Sequence, residues 1–274
     1  MAVTMADITH LRKMSGAGMM DCKNALIEAE NDFDKAMEII RKKGQAVAAK
    51  RSDREAAEGC VLAMENGDFA AIVAVKCETD FVAKNAEFVA MTQSILDAAM
   101  SNKPANKEEL LGINLGDGRT VENHITDRVG VTGEKMELGY YEFVKDASTI
   151  SYIHPGNKLA TIVAFNKTLE RQVARDIAMQ VAAMNPVSIT SADVPQKAID
   201  TEMEIARDKA RQAGKPENLL DRIAEGALQK FFKENTLLQQ DFVKDSKITI
   251  EQYLKQQDKE LTVTSFKRVT LNVE

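Results

Sequence analysis

Apolar residues near the amino terminus recur at the three- and four-residue spacing of amphipathic helices. Residues 8–14 predict a short first helix, and the small residues at 15–18 predict a tight turn after it. A second helix follows, with a continuous apolar face. This face consists of Cys22, Ala25, Leu26 and Ala29.

A third helix is predicted where capping residues precede another apolar face. Asn31 or Asp32 can cap its start, and Gly44 is the expected stop. Its inward face consists of Phe33, Ala36, Met37 and Ile40. We therefore expect a three-helix domain over residues 1–50. The charged, poorly periodic residues 50–55 are interpreted as a linker.

The next part of the chain contains an internal repeat. Apolar runs at 60–75 flank an Asn-Gly pair, which is a strong hairpin signal. A second such pair of runs occupies 150–165, and the tripeptide Ile-Val-Ala recurs at 72–74 and 162–164. The sequence therefore predicts two related hairpins.

A helix is predicted after each hairpin. The two helices end at Ala98–Met100 and Ala182–Met184, which are 84 residues apart, whereas the hairpins are 90 residues apart. The first copy therefore contains six additional residues between its strand and its helix end. They fall close to Thr79–Lys84, at the turn from strand to helix.

The remaining patterns complete an α+β fold. Val121, Ile125 and Val129 predict a helix, residues 135–145 predict a strand, and a capping box at Thr249–Gln252 starts a short helix. A final strand is predicted from the alternation of Val269, Leu271 and Val273. We expect two core subdomains of antiparallel sheet plus helices, over residues 56–145 and 146–274.

A helical hairpin is predicted at 195–234 within the second subdomain. The first helix has a seam with alternating spacings of four and three residues, and residues 214–216 turn the chain. The seam consists of Ile199, Met203, Ala206, Ala210 and Ala213, and the return helix adds Leu220, Ile223 and Ala227. Because this alanine-rich seam buries little surface, we expect the hairpin to project and to offer a surface for a homodimer.

Charge and composition narrow the classes of partner. The net charge of the 274 residues is −6, so there is no general basic field that would attract nucleic acid. No apolar segment is long enough to span a bilayer, and residues 1–10 lack the apolar core of a signal peptide. With three widely spaced cysteines, the chain is expected to be cytoplasmic, with reduced thiols and no membrane partner.

The sequence offers little support for an enzyme active site. It contains no GxxxxGK[ST] phosphate loop and no GxGxxG fingerprint, so no cofactor is expected. His10, His124 and His154 lack ligand spacing, which argues against a metal site. Cys77 could be a thiol nucleophile, but neighbouring Glu78 and Asp80 would raise its pKa and disfavour the thiolate. A thiol hydrolase is retained only as a minor alternative.

The segment Thr79–Val82 allows two interpretations. Phe81 falls on the same helical side as Phe88, Ile95 and Ala99, which favours a core position with Thr79 or Asp80 as the helix cap. The additional residues of the first copy could instead let this first turn project from the helix end. Periodicity leaves this choice open. The methionines of Gly16–Met20 are equally compatible with a core and with a partner surface.

Two separated motifs resemble the bacterial elongation factor Ts family. They are LRKMSGAGMMDCKNAL at residues 11–26 and ETDFVAKN at residues 78–85, and segments 154–157 and 182–186 also fit. The resemblance implies a UBA-like amino-terminal domain and guanine nucleotide exchange on elongation factor Tu, in its GDP-bound and nucleotide-free states. It implies a protein that is not an enzyme. The alternative from another class is a helical adaptor or chaperone-like scaffold.

The resemblance also assigns residues. Thr79, Asp80, Phe81 and Val82 match the segment that displaces Mg²⁺ from elongation factor Tu, with Phe81 as the wedge and Asp80 holding the displaced backbone. The expected amino-terminal contact surface consists of Arg12, Met19, Met20 and Lys23. His154 and Gly156 match a second-subdomain loop that meets another domain of the GTPase, although a histidine before a turn is also an ordinary surface residue. Some members continue with a helical module, whereas this sequence ends at Glu274.

Overall fold

Residues 2–272 are described by a computed structural model with eleven α-helices and eight strands. The helices are α1 (Met5–Ser15), α2 (Met19–Glu28), α3 (Phe33–Arg51), α4 (Asp80–Ala83), α5 (Ala86–Asn102), α6 (Lys107–Gly112), α7 (Val121–Thr132), α8 (Arg171–Met184), α9 (Gln196–Gln212), α10 (Leu220–Asn235) and α11 (Ile250–Gln257). The strands are β1 (Glu58–Asn66), β2 (Phe69–Cys77), β3 (Met136–Lys145), β4 (Ser148–Ile153), β5 (Leu159–Phe165), β6 (Asp241–Phe242), β7 (Asp245–Thr249) and β8 (Val263–Thr270). The α+β class predicted from the sequence is confirmed.

The first three helices share a small apolar core. Thr4 caps α1, and Gly16 ends this helix in the left-handed conformation, with φ of 68°. The Asp32 side chain caps α3 by accepting hydrogen bonds from the backbone N–H groups of Asp34 and Lys35. The core consists of Ile8, Leu11, Ala17, Cys22, Ala25, Leu26, Ala29 and Ala36.

The predicted stop at Gly44 is wrong, because α3 continues to Arg51 and takes in the start of the predicted linker. Gly44 lies where α3 crosses α7. A Cβ atom added to Gly130 of α7 would stand 2.5 Å from the Gly44 Cα. The glycine therefore permits close helix packing instead of ending the helix.

Each predicted hairpin forms part of a three-stranded antiparallel sheet, with strand orders β1-β2-β3 and β4-β5-β8. Asn66 pairs with Phe69 across the first turn, and Gly67 supplies its positive φ of 62°. The predicted strand at 135–145 is β3. The predicted final strand is β8, which begins earlier, at Val263, and Val273 lies outside the described residues.

The two sheets pack face to face, with helices on their outer faces. Within the Ile-Val-Ala repeat, Ile72 and Ile162 lie in the apolar layer between the sheets. Val73 and Val163 point the other way, into separate cores that contain residues of α5 and α8 respectively. The period-two alternation of strands therefore places each repeated residue on the same face in both copies.

The helical hairpin formed by α9 and α10 differs from prediction at three seam positions, because Ala213 and Ala227 are exposed and Ala224, outside the predicted seam, is buried. Its buried seam consists of Ala206, Ala210, Leu220 and Ala224. Ala213 and Ala227 line an open groove beside this seam. The predicted capping box between Thr249 and Gln252 is present at the start of α11.

Candidate functional site

The additional residues of the first copy form α4, a single helical turn between β2 and α5. Thr79 caps α4, and its side chain accepts a hydrogen bond from the Val82 N–H. Asn85 then starts α5 as a new helix by accepting from the Glu87 N–H at 2.9 Å. Because of this break, α4 does not keep the helical phase of α5.

Phe81 is 84% exposed, the highest value among the large apolar side chains of residues 2–272. Phe88 and Ile95, which share its predicted helical side, are fully buried. The core interpretation of Phe81 is therefore wrong. The capping residue Asn85 separates Phe81 from the helix whose periodicity suggested a buried position.

The other side chains of α4 divide between the interior and the solvent. Val82 packs against the core beneath the first sheet, and Ala83 is buried. Asp80 accepts a hydrogen bond from Lys84 Nζ at 2.6 Å at the surface. This bond is the main reason why the pKa of Asp80 lies below its usual value. The turn therefore presents Phe81 and an ionised Asp80 side by side to the solvent, while Val82 and Ala83 face the interior.

Thr79 is fixed by the residue that follows α7. Glu134 accepts two hydrogen bonds from Thr79, one from the backbone N–H at 3.0 Å and one from the hydroxyl at 2.6 Å. The preceding Glu78 accepts from the Lys135 N–H at 2.7 Å and from Arg51 at 3.5 Å. The base of the exposed turn is thus tied to the start of β3.

Cys77 is unsuited to nucleophilic chemistry. Burial raises the pKa of the Cys77 thiol to about 12, with further contributions from the charges of Glu134 and Glu58. The shift has the direction expected from the sequence, but burial is its main cause, ahead of any neighbouring carboxylate. The Cys77 sulfur donates a hydrogen bond to the Thr79 carbonyl at 3.2 Å, so this thiol supports the turn.

The loop between β4 and β5, which contains His154 and Gly156, lies at the same end of the sheets as α4. Its Asn157 carbonyl accepts from the Val61 N–H at 2.7 Å, and Lys158 forms an ion pair with Glu58 at 2.6 Å. Glu58 is paired across the sheet with Cys77, where β2 leads into the exposed turn. The structure therefore brings this loop and the Phe81 turn together.

The two predicted residues of that loop are both exposed. His154 Nδ1 lies 3.1 Å from the Tyr152 hydroxyl, and the His154 N–H donates to the Leu159 carbonyl at 2.9 Å. Gly156 adopts a φ of 94°, and a Cβ atom added at this position would lie more than 4 Å from the described neighbouring atoms. The histidine thus holds the turn closed through its backbone while its ring remains accessible.

The predicted amino-terminal residues lie on the surface of the three-helix domain. Arg12, Met19, Met20 and Lys23 are all exposed, and Ala17 supplies the core contact of this turn instead. For the methionines, the structure therefore favours the surface interpretation over the core interpretation. Gly16, in the turn before Met19, lies close to Val131 and Arg128 of α7, so α7 links this surface to the segment that follows the Phe81 turn.

α7 makes this link through side chains that sequence reasoning missed. Arg128 on α7 forms an ion pair with Glu87 at 2.6 Å and contacts the Asn85 cap at 3.5 Å. On its other side, α7 packs against α3 through the glycine contact described above. Arg128 and Glu134 had no sequence signal, because their partners lie 41 and 55 residues away along the chain.

Within residues 2–272, no group of three or more His, Cys, Asp or Glu side chains is arranged to hold a metal ion. In the same part of the chain, no helix combines the length and the hydropathy needed to cross a bilayer. The candidate site is a surface that consists of one exposed aromatic, an adjacent carboxylate and a nearby loop. Such a surface suits protein recognition.

Comparison with known proteins identifies the family. The family model described as Elongation factor TS matches residues 78–273. The chain belongs to the elongation factor Ts family. Elongation factor Ts of Porphyromonas gingivalis is 73% identical over 274 residues, with full coverage of both chains.

More distant members of the elongation factor Ts family also align over their full length. The protein of Azobacteroides pseudotrichonymphae is 57% identical over 275 residues, and that of Phocaeicola vulgatus is 48% identical over 331 residues. In both cases all of each chain is covered. Family membership therefore places this chain among the elongation factors of protein biosynthesis, and the resemblance drawn from the two motifs is confirmed.

Proposed function

We propose that this chain is a guanine nucleotide exchange factor for elongation factor Tu. In this proposal, the Phe81 turn enters the GTPase, displaces its Mg²⁺ and promotes GDP release. The supporting observation is the 84% exposure of an aromatic ring on a turn whose base is anchored to the core. An apolar ring in this position gains free energy only when a partner covers it.

The proposed roles of the four residues Thr79–Val82 depend on whether each side chain faces the solvent or the interior. Phe81 is the wedge, and Asp80 accepts hydrogen bonds from the displaced backbone after exchanging its bond with Lys84. Thr79 and Val82 already have partners within the fold, so they act in binding by shaping the turn. This division assigns direct contact to two residues and support to the other two.

Exchange requires a coupling between two binding equilibria. A factor that weakens nucleotide binding must itself be bound more weakly in the presence of nucleotide, by the same ratio. A thousandfold reduction in affinity corresponds to about 4 kcal/mol. Burying one phenylalanine supplies roughly 1.5–3 kcal/mol. The remaining coupling must come from other surfaces.

We assign those further contacts to two surfaces. One is formed by Arg12, Met19, Met20 and Lys23 on the three-helix domain, and the other is the loop with His154 and Gly156. No covalent bond is made or broken in this mechanism, so the chain is not an enzyme in the chemical sense. The proposed partner is elongation factor Tu in its GDP-bound and nucleotide-free states, and the proposed location is the cytoplasm.

The domain division and the homodimer remain proposals. Separate apolar cores support division into a UBA-like domain over 1–50 and subdomains over 56–145 and 146–274. The open apolar groove along α9 and α10 supports self-association through the hairpin at 195–234. Neither proposal is needed for exchange by the Phe81 turn.

The decisive experiment measures release of fluorescent GDP from elongation factor Tu with catalytic amounts of this protein. We expect accelerated release by the native chain and a roughly 10- to 100-fold smaller stimulation by Phe81→Ala, as loss of one buried ring implies. Val243→Ala, which truncates an exposed apolar residue of the second subdomain, is the control and should retain full activity. A native protein that leaves the release rate unchanged would favour the adaptor alternative.

A further inference from the structure

Glu134 lies in a short connection whose geometry is set by the end of α7. Gly133 ends this helix in the left-handed conformation, with φ of 73°. The Glu134 N–H then donates to the Thr132 hydroxyl at 3.2 Å. From this connection the Glu134 side chain reaches Thr79, whose N–H and hydroxyl it binds.

The polar atoms of Thr79 are all used inside the molecule. Its N–H and its hydroxyl donate to the two oxygens of Glu134, at 3.0 and 2.6 Å. Its carbonyl accepts from the Ala83 N–H at 3.1 Å and from the Cys77 sulfur at 3.2 Å. Since Thr79 is the cap of α4, this set of bonds fixes where the helical turn starts and the direction of Phe81.

The Glu78 carboxylate adds a second connection between the same two segments, with the side chain now coming from the Thr79 side. The Glu134 side chain binds the backbone of Thr79, while the Glu78 side chain binds the backbone N–H of Lys135 at 2.7 Å. Adjacent residues of two separate segments thus exchange carboxylate-to-backbone hydrogen bonds. The Phe81 ring is largely exposed, so its position depends on the hydrogen bonds that hold Glu78 and Thr79.

We propose that Glu134 is a positioning residue for nucleotide exchange. It holds the Phe81 turn in its projecting conformation before elongation factor Tu binds, and this inference rests on the proposed function. A turn that is already ordered loses less conformational entropy on binding than a flexible one. Hydrogen bonds to a charged carboxylate are also stronger than neutral ones. Glu134 therefore acts through Phe81 without touching the GTPase.

The first test measures amide hydrogen exchange in the free protein, and it does not depend on nucleotide exchange. In Glu134→Ala we expect faster amide exchange over residues 78–84, and in Glu134→Gln an intermediate effect, because the amide keeps one acceptor oxygen. Glu137→Gln is the matched control, since this half-exposed carboxylate on β3 forms ion pairs with the Lys76 and Lys135 side chains and, in the described part of the chain, makes no hydrogen bond or ion pair with residues 78–84. The control should leave residues 78–84 unchanged.

The second test measures GDP release from elongation factor Tu. Loss of the two hydrogen bonds between Glu134 and Thr79 should reduce the stimulation of GDP release about 10-fold in Glu134→Ala. Glu137→Gln should change it little. In the Phe81→Ala background, Glu134→Ala should cause no additional loss, because a residue that acts only through the ring has nothing left to position. A purely structural role would reduce activity by a similar factor in both backgrounds.

Each outcome is decisive. Faster amide exchange at 78–84, together with an effect on release that disappears without Phe81, supports the proposal. Unchanged amide exchange, or a full additional loss in the Phe81→Ala background, overturns it. If Phe81→Ala itself retains full exchange activity, the proposed function of the ring fails, and the amide-exchange result still decides whether Glu134 holds the turn. If Glu134→Ala does not fold, the isosteric Glu134→Gln variant provides both measurements.

Discussion

Phe81 and Phe88 are seven residues apart and make opposite contributions to the molecule. Phe88 is fully buried beneath the first sheet, whereas the Phe81 ring is in solvent. Burial of apolar area, and not residue type, determines how much a side chain stabilises the fold. The apolar area of Phe81 therefore contributes little to the stability of the fold.

This difference leads to a prediction about stability. Phe88→Ala should lower the free energy of unfolding by about 3–5 kcal/mol, because it leaves a cavity in the core. Phe81→Ala should change it by less than about 0.5 kcal/mol, as for most exposed substitutions. Denaturant titration followed by circular dichroism measures both values. A large loss in Phe81→Ala would mean that its exchange defect reflects unfolding.

At the scale of elements, the contact between α3 and α7 depends on two glycines, Gly44 and Gly130. They differ in the space available for an added side chain. A Cβ atom on Gly130 would lie 2.5 Å from the Gly44 Cα, whereas one on Gly44 would find its nearest atom, the Gly130 Cα, at 3.4 Å. The first distance is a clash with backbone, and the second is close to van der Waals contact. The two positions are therefore not equivalent, although both lie in helices.

We predict that alanine has opposite effects at these two glycines. Gly130→Ala should destabilise the protein by about 1–3 kcal/mol, because the helices must move apart. Gly44→Ala should be neutral or stabilising by up to about 1 kcal/mol, since alanine is the better helix former. Thermal unfolding of the two variants tests this order. Equal destabilisation by both would contradict the close approach of α3 and α7.

In the core beneath the second sheet, a buried carboxylate ties α8 to the segments around α11. Asp176 accepts hydrogen bonds from Lys244 at 2.7 Å, Gln172 at 2.7 Å and Tyr253 at 3.0 Å. Burial alone would raise the pKa of Asp176, but these bonds outweigh burial and hold it below its usual value. The ionised form is thus favoured in the folded state.

A lowered folded-state pKa has a defined pH dependence. The stabilisation by Asp176 is fully present above its unfolded pKa near 4 and is lost as the pH falls through the folded value. Asp176→Asn should therefore lower the free energy of unfolding at pH 7 by about 1–3 kcal/mol, with a smaller deficit at acid pH. Urea titrations between pH 3 and 7 test this prediction, with the exposed Asp97→Asn as control. A deficit that stays constant down to pH 3 would contradict it.

At the scale of the whole molecule, the proposed contact surfaces are distributed over three parts that α7 and the paired sheets hold together. The Phe81 turn is tied to β3, and the His154 loop is tied to β1. The three-helix domain is held by the contact between α3 and α7. A rigid arrangement of this kind lets several modest contacts add to one coupling free energy.

Linkage gives a prediction at this scale. The factor by which this protein raises the Kd of GDP for elongation factor Tu should equal the factor by which GDP raises the Kd of this protein. Titration calorimetry can measure the four equilibria of the cycle. If saturating GDP left the affinity between the two proteins unchanged while exchange remained fast, the proposed competition would be wrong.

Much of this fold could be predicted from the sequence because the forces that set its elements are local. The Asn66-Gly67 turn, the Asp32 cap and the Thr249 capping box all depend on residues close in sequence. The period-two alternation within the two Ile-Val-Ala segments likewise sends equivalent residues to the same face in both copies, although both faces are buried. The two motifs were sufficient to indicate the family.

Only the tertiary structure decided the features on which the proposed function depends. Periodicity favoured a buried Phe81 because it could not detect that Asn85 starts a new helix. The sequence pattern predicts a helix stop at Gly44 because its contact partner, Gly130, belongs to a distant helix. Glu134 could not be found at all, since its hydrogen-bond partner is 55 residues away. Sequence therefore determined the elements and the family, whereas contacts between distant segments determined which ring is exposed and what holds it there.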